Sequence, residues 1–220
     1  MRHIGEDVCP RVVCVRADSY DMEPLDHWAP SVGEMPAAIE DIKHLLRSHV
    51  WNRDPLFHHA DWREAVMRTS AAKCAWIDPA IVRDLYPSGV APKATLIHGD
   101  PTFANVMLKD GALRLIDAVP CRDDVPSLRE LDFARMLQSA YGWEHALDAS
   151  WPALKGEHLA LIFKDEPAHL VGELTARAFF WASYNCGRIL GHDFDARSSD
   201  WARTLGPRFM EKCRAICTLV

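Results

Sequence analysis

The chain has 220 residues, a length suited to one domain or to one large lobe with a small appendage. Hydrophobic residues at 49% and charged residues at 25% exclude a disordered chain or a coiled coil. Twenty-five Lys and Arg against 31 Asp and Glu give a net charge of −6, which argues against a generic duplex-binding surface, so no nucleic-acid partner is expected.

Val12–Val15 and Ser19–Met22 are short runs that predict a β-hairpin, and Pro24 ends it because proline cannot donate to a ladder. Residues 26–34 read as a loop. Met35–Val50 places Ile39, Ile42, Leu45 and Leu46 at helical spacing, with Pro36 suited to a first turn. Asp61–Cys74 predicts a second helix, and Asp78–Leu85 a short third one with Asp78 as its cap. Thr95–Ile97 reads as a strand. Val106–Leu108 and Leu113–Ile116 read as two strands joined by the Lys109-Asp110-Gly111 turn. Beyond Ser127 the pattern is helical over Leu128–Tyr141, Glu157–Phe163, Ala168–Leu190 and Asp200–Leu219. Phe179, Phe180, Trp181 and Tyr184 suit core packing better than a pocket wall. Gly191-His-Asp-Phe-Asp195 and Asp200 read as a solvated acidic loop, with attraction of a cationic acceptor as the competing reading.

Seven cysteines, an odd number with no CxxC, fit neither a disulfide framework nor a zinc ribbon and predict a reducing, cytoplasmic setting. No apolar run of signal-peptide length opens the chain. No segment approaches the ~18 uninterrupted apolar residues of a membrane span, so no membrane association is expected. His58 and His59 with Asp61 have metal-ligand residue types, but adjacent side chains diverge, and the set is put aside.

Chemistry concentrates in Leu96-Ile-His-Gly-Asp-Pro-Thr-Phe-Ala-Asn-Val-Met-Leu108 and Leu113-Arg-Leu-Ile-Asp117. A strand leads into a polar loop holding His98, Asp100 and Asn105. A tight hairpin then brings its two ends together, so Asn105 and Asp117 should flank one point. An amide oxygen beside a carboxylate suits a hard cation such as Mg²⁺, which keeps several waters. Asp100 faces the same point from across the loop, where a carboxylate can accept a proton from a hydroxyl. Met107 and Ile116 can floor a base pocket from the hairpin, and ordinary core packing suits them equally.

The pattern His98-Gly99-Asp100…Asn105 followed by Asp117 resembles the catalytic HGDxxxxN…D set of aminoglycoside phosphotransferases and choline-kinase-like enzymes, relatives of the protein kinases. Glu130-Leu131-Asp132-Phe133-Ala134 is similar to the helix start that buttresses their catalytic loop. Cys9 to Arg16 and Tyr20 to Leu25 look like the last N-lobe strands and the hinge. The resemblance implies an α+β, protein-kinase-like fold: residues 1–25 as a minimal N-lobe β-hairpin and hinge, and 26–220 as a mostly helical C-lobe. It implies ATP and Mg²⁺ as cofactors and an unknown hydroxyl acceptor. Asp100 becomes the catalytic base, Asn105 and Asp117 the metal ligands, and His98 and Asp132 structural supports. Glu23 and Leu25 would offer backbone groups to the adenine edge; a plain loop after an edge strand is the competing reading.

The departure is upstream. A complete kinase N-lobe has a Gly-rich loop and a strand Lys. No GxGxxG precedes the hinge here, and no Lys precedes Lys43. Arg11 or Arg16 are the available substitutes. The expectations are therefore a phosphotransferase, a pseudokinase or split-kinase subunit that binds a partner, or nucleotidyl transfer to a protein. An N-lobe polypeptide or a second copy of the chain would complete the sheet.

Overall fold

A computed structural model describes residues 12–15, 20–55, 61–88, 92–119, 122, 124–156, 158–192 and 194–218. Arg11, Arg16, His58 and His59 lie outside the described residues, as do Cys9 and Ser19.

The architecture is α+β and mostly helical, with eight α-helices and five short strands among the described residues. β1 (Val12–Val15) and β2 (Tyr20–Met22) pair antiparallel, with Val15 opposite Tyr20. A separate antiparallel sheet has the order β3-β4-β5, formed by β3 (Asp26–His27), β4 (Val106–Lys109) and β5 (Ala112–Leu115). The predicted loop over residues 26–34 is thus corrected at its start: Asp26 and His27 pair with Leu108 and Met107. Two residues carry no periodicity, so only the long-range partner reveals this strand.

α1 (Met35–Leu45) runs without a break into a π-helical turn, Leu46–Val50. Trp51 N donates to Leu46 O at 2.7 Å, an i→i+5 bond that shifts the helix register by one residue. α2 (Trp62–Lys73) buries Trp62, Ala65 and Val66. α3 (Ile81–Leu85) begins later than the sequence suggests, because Asp78 Oδ1 accepts from Ala80 N and holds a turn first. Thr95–Ile97 joins no sheet: Thr95 N donates to Ser127 O and Leu96 N to Arg53 O, so irregular neighbours take the place of a ladder.

α4 (Arg129–Ala140), α5 (Trp143–Leu147), α6 (Leu159–Phe163), α7 (Ala168–Ile189) and α8 (Ala196–Cys217) complete the chain. α8 starts four residues before the predicted Asp200, because Asp195 caps it by accepting from Ser198 N at 2.7 Å. Asp200 therefore sits within a helix and not in an acidic loop. Phe180, Trp181 and Tyr184 on α7 are fully buried, so these aromatics fill the core. Among the described residues no helix is long and apolar enough to cross a membrane.

Candidate active site

The loop from His98 to Asn105 is fixed from beneath by two buried carboxylates. Asp132, in the first turn of α4, accepts from Gly99 N at 2.7 Å, His98 N at 3.1 Å and Trp51 Nε1 at 2.8 Å. The π-turn after α1 sets Trp51, so a distortion of one helix and the start of another clamp the start of the same loop. Burial pushes the Asp132 carboxyl up to about 6, against the lowering effect of these three donors.

Glu144, in the first turn of α5, is the second carboxylate. Its Oε1 accepts from Phe103 N at 2.9 Å and from Ser139 Oγ at 2.5 Å. It thereby holds the 3₁₀ turn Phe103–Asn105 that delivers Asn105 to the hairpin. Burial raises its carboxyl to about 7. Sequence reasoning missed this residue: a single acid in Gly142-Trp-Glu-His carries no local signal, and its partner lies 41 residues upstream.

His98 is fully buried. Its Nδ1 accepts from Asp100 N at 3.3 Å, which assigns the ring proton to Nε2, and burial lowers its pKa to about 4. The ring is therefore neutral near pH 7. Gly99 has φ +83°, and a Cβ there would lie 2.5 Å from the Val119 carbonyl oxygen. Only glycine permits that approach. Val119 N in turn donates to His98 O at 2.8 Å, so the chain leaving the hairpin closes back on the loop.

The hairpin register places Val106 opposite Leu115, and Ile116 N donates to Asn105 O at 3.0 Å. Asn105 and Asp117 are thus neighbours across the hairpin's open end. Asn105 Nδ2 donates to the Asp100 carbonyl at 2.9 Å, which leaves Oδ1 without a hydrogen bond among the described residues. Asp117 is exposed, makes no ion pair among the described residues, and has φ +54°. A non-glycine residue in this region is uncommon, although Asp tolerates it better than most. Asp100 is a quarter exposed, and Arg135 on α4 approaches it to 3.3 Å.

Met107 and Ile116 are half-buried. With Val106 and Leu115 in the core, strand alternation puts Met107 and Ile116 on the other face of the hairpin. Leu25 immediately precedes β3, which pairs with β4, and Glu23 Oε2 lies 4.0 Å from Lys109 Nζ. The 23–25 segment therefore runs along the same hairpin that carries Met107 and Ile116. Among the described residues no group of three or more His, Cys, Asp or Glu is placed to hold a metal. One amide oxygen and one carboxylate remain a workable donor pair for Mg²⁺, which takes its other ligands from water and phosphate.

Comparison with family models, with curated proteins and with solved structures gives no match for this chain.

Proposed function

We propose that the chain is a kinase-like C-lobe with an ATP- and Mg²⁺-dependent phosphotransferase site acting on a hydroxyl acceptor, similar to that of aminoglycoside phosphotransferases. The observation that carries this reading is the Asn105 side chain. Its amide nitrogen is bound to the Asp100 carbonyl, so its oxygen is left for a cation beside Asp117, which makes no ion pair among the described residues. One bond ties the metal-side residue to the backbone of the base.

In this reading Asp100 orients the acceptor hydroxyl and receives its proton. Arg135 holds the Asp100 carboxylate in place. Asn105 Oδ1 and the Asp117 carboxylate would hold Mg²⁺, which when bound neutralises charge on the β- and γ-phosphates of ATP. Met107 and Ile116 floor the base, and the 23–25 backbone meets its edge. His98 and Asp132 act on the loop's shape.

The first Lys of the sequence, Lys43, is fully buried and bonded to Asp165 at 3.0 Å and to Leu161 O, so it is not a phosphate clamp. A separate N-lobe polypeptide or a second copy of the chain would supply one. The test is incubation with ATP, Mg²⁺ and a panel of sugar, amine-sugar and protein hydroxyl acceptors, with mass spectrometry of the products. A gain of one phosphate supports the reading. A gain of one nucleotide replaces it with nucleotidyl transfer. No transfer, together with no Mg²⁺-dependent nucleotide binding, overturns it. Light scattering, alone and with any separately encoded N-lobe, reports association.

A further inference from the structure

The chain carries a second cavity, of about 730 Å³, between the α4–α5 corner and α8. None of the residues lining it belongs to the 98–117 loop and hairpin. Its size falls in the range of small-molecule sites.

Its walls divide by chemistry. Tyr141 and Trp201, both half-buried, supply aromatic surface over the fully buried Phe209, with Leu154 and Leu205 beside them. These rings are locked together: Tyr141 meets Phe209 edge-on at 5.0 Å between centroids, and Trp201 Nε1 donates to Tyr141 O at 2.9 Å. The rim is cationic. Lys155, Arg197, Arg208 and Lys212 line it and are exposed, against one carboxylate, Asp200. Asp200 Oδ1 is itself engaged by Arg203 at 2.9 Å. Arg197 is held by two carbonyls, Ala146 O and Leu147 O, each at 2.9 Å. Arg208 and Lys212 make no ion pair among the described residues. His145, the remaining titratable wall, spends Nδ1 on the Trp151 carbonyl at 2.7 Å.

A chain of net charge −6 therefore places Arg208 and Lys212, matched by no carboxylate among the described residues, beside one aromatic floor. The other large cavity, about 700 Å³ at the starts of α4 and α7, shows what a merely structural cluster looks like. There Arg47 pairs with Asp165 and Glu166, Arg129 with Glu166, and Arg177 with Glu130. Those arginines are consumed internally. The charges of Arg208 and Lys212 on the α8 rim are not matched by a carboxylate among the described residues.

We infer that the α8 cavity binds a small phosphate monoester of a planar aromatic or heteroaromatic ring. The ring would stack on the Trp201–Tyr141 surface and the phosphate would meet Arg208 and Lys212 at the rim. A monoester dianion matches the surplus charge better than a carboxylate does, and guanidinium groups match phosphate oxygens in geometry.

Phenyl phosphate is the probe, titrated calorimetrically into the full chain in chelator so that no divalent ion contributes. Inorganic phosphate and phenol are the controls. One site per chain is expected, with both controls at least tenfold weaker. Arg208→Glu/Lys212→Glu, two exposed changes on α8, should weaken phenyl phosphate at least tenfold while circular dichroism stays unchanged. In the unmodified chain, nuclear Overhauser contacts should run from the phenyl protons to the Trp201 indole. No binding, unchanged binding in the double variant, equal binding of inorganic phosphate, or absent Trp201 contacts would each overturn the assignment.

Discussion

Arg135 Nε lies 3.3 Å from Oδ1 of Asp100, with the two side chains 16% and 25% exposed. Nothing in the spacing of the loop anticipates this pair, because Arg135 sits on α4, three residues beyond the Asp132 that anchors the loop backbone. One helix therefore hydrogen-bonds the backbone and ion-pairs with the carboxylate of the same segment.

The pair sets the first prediction. Asp100→Asn should leave nucleotide affinity unchanged and lower turnover by about two orders of magnitude or more, the usual scale for loss of a general base. Arg135→Gln should lower turnover about tenfold on its own, and add almost nothing in the Asp100→Asn background, as expected of two groups acting as one unit. Steady-state kinetics on the four proteins decides it. Additive losses would place Arg135 outside the base's environment.

The second concerns the hairpin end. Nucleotide binding should depend on Mg²⁺, and Asp117→Ala should remove most of that dependence. Titration calorimetry with and without Mg²⁺ measures it. Equal affinities in the two conditions, or in the variant, would sink the ligand assignment.

A third follows from Glu144. Its folded pKa near 7 stands above the ordinary 4.5, so the folded state holds this proton more tightly than the unfolded chain does. The stability from this group is complete below about pH 4.5 and is lost as pH rises through about 7, a loss of about 3 kcal/mol. His98 works in the opposite sense: its lowered pKa costs stability as pH falls from 6.5 towards about 4. The difference between the wild type and Glu144→Gln isolates the first effect. Urea midpoints should show the glutamine variant gaining on the wild type as pH rises from about 4.5 to about 8. Parallel profiles would refute the buried-acid account.

The fourth concerns Asp132. Replacing it with Ala leaves Trp51 Nε1, His98 N and Gly99 N without their acceptor in a buried site. Each orphaned donor costs about 1–3 kcal/mol, partly relieved by water. A fall of about 3–5 kcal/mol in unfolding free energy is expected from chemical denaturation. A loss below about 1 kcal/mol, less than one orphaned donor, would mean that the loop holds its shape by other means.

The helices are legible where a long apolar face is repeated. Met35–Val50, Leu128–Tyr141 and Ala168–Leu190 each show core positions at three- and four-residue spacing, and each appears within a few residues of its expected bounds. The Lys109-Asp110-Gly111 turn is equally legible, because Asp110 and Gly111 both adopt positive φ, which few residue types tolerate. The start of α8 is not, because Asp193, Asp195 and Asp200 are all candidate caps and only the bond from Ser198 N singles out Asp195.

What the sequence determined by itself is local: which segments are helical, the short α5 (Trp143–Leu147) apart, where the hairpin turns, and that His98, Asp100, Asn105 and Asp117 share one loop and one hairpin. Those follow from backbone sterics and short-range periodicity, which act over a few residues. Only the tertiary structure decided what holds that loop. Glu144, Arg135 and Trp51 reach it from other elements, and β3 finds its strand partner, Met107–Leu108, far downstream. The α8 cavity is of the same kind: its aromatic floor and cationic rim exist only once α8 packs against the α4–α5 corner. Contacts between distant segments are set by packing of the whole core, and no single stretch of chain carries that information.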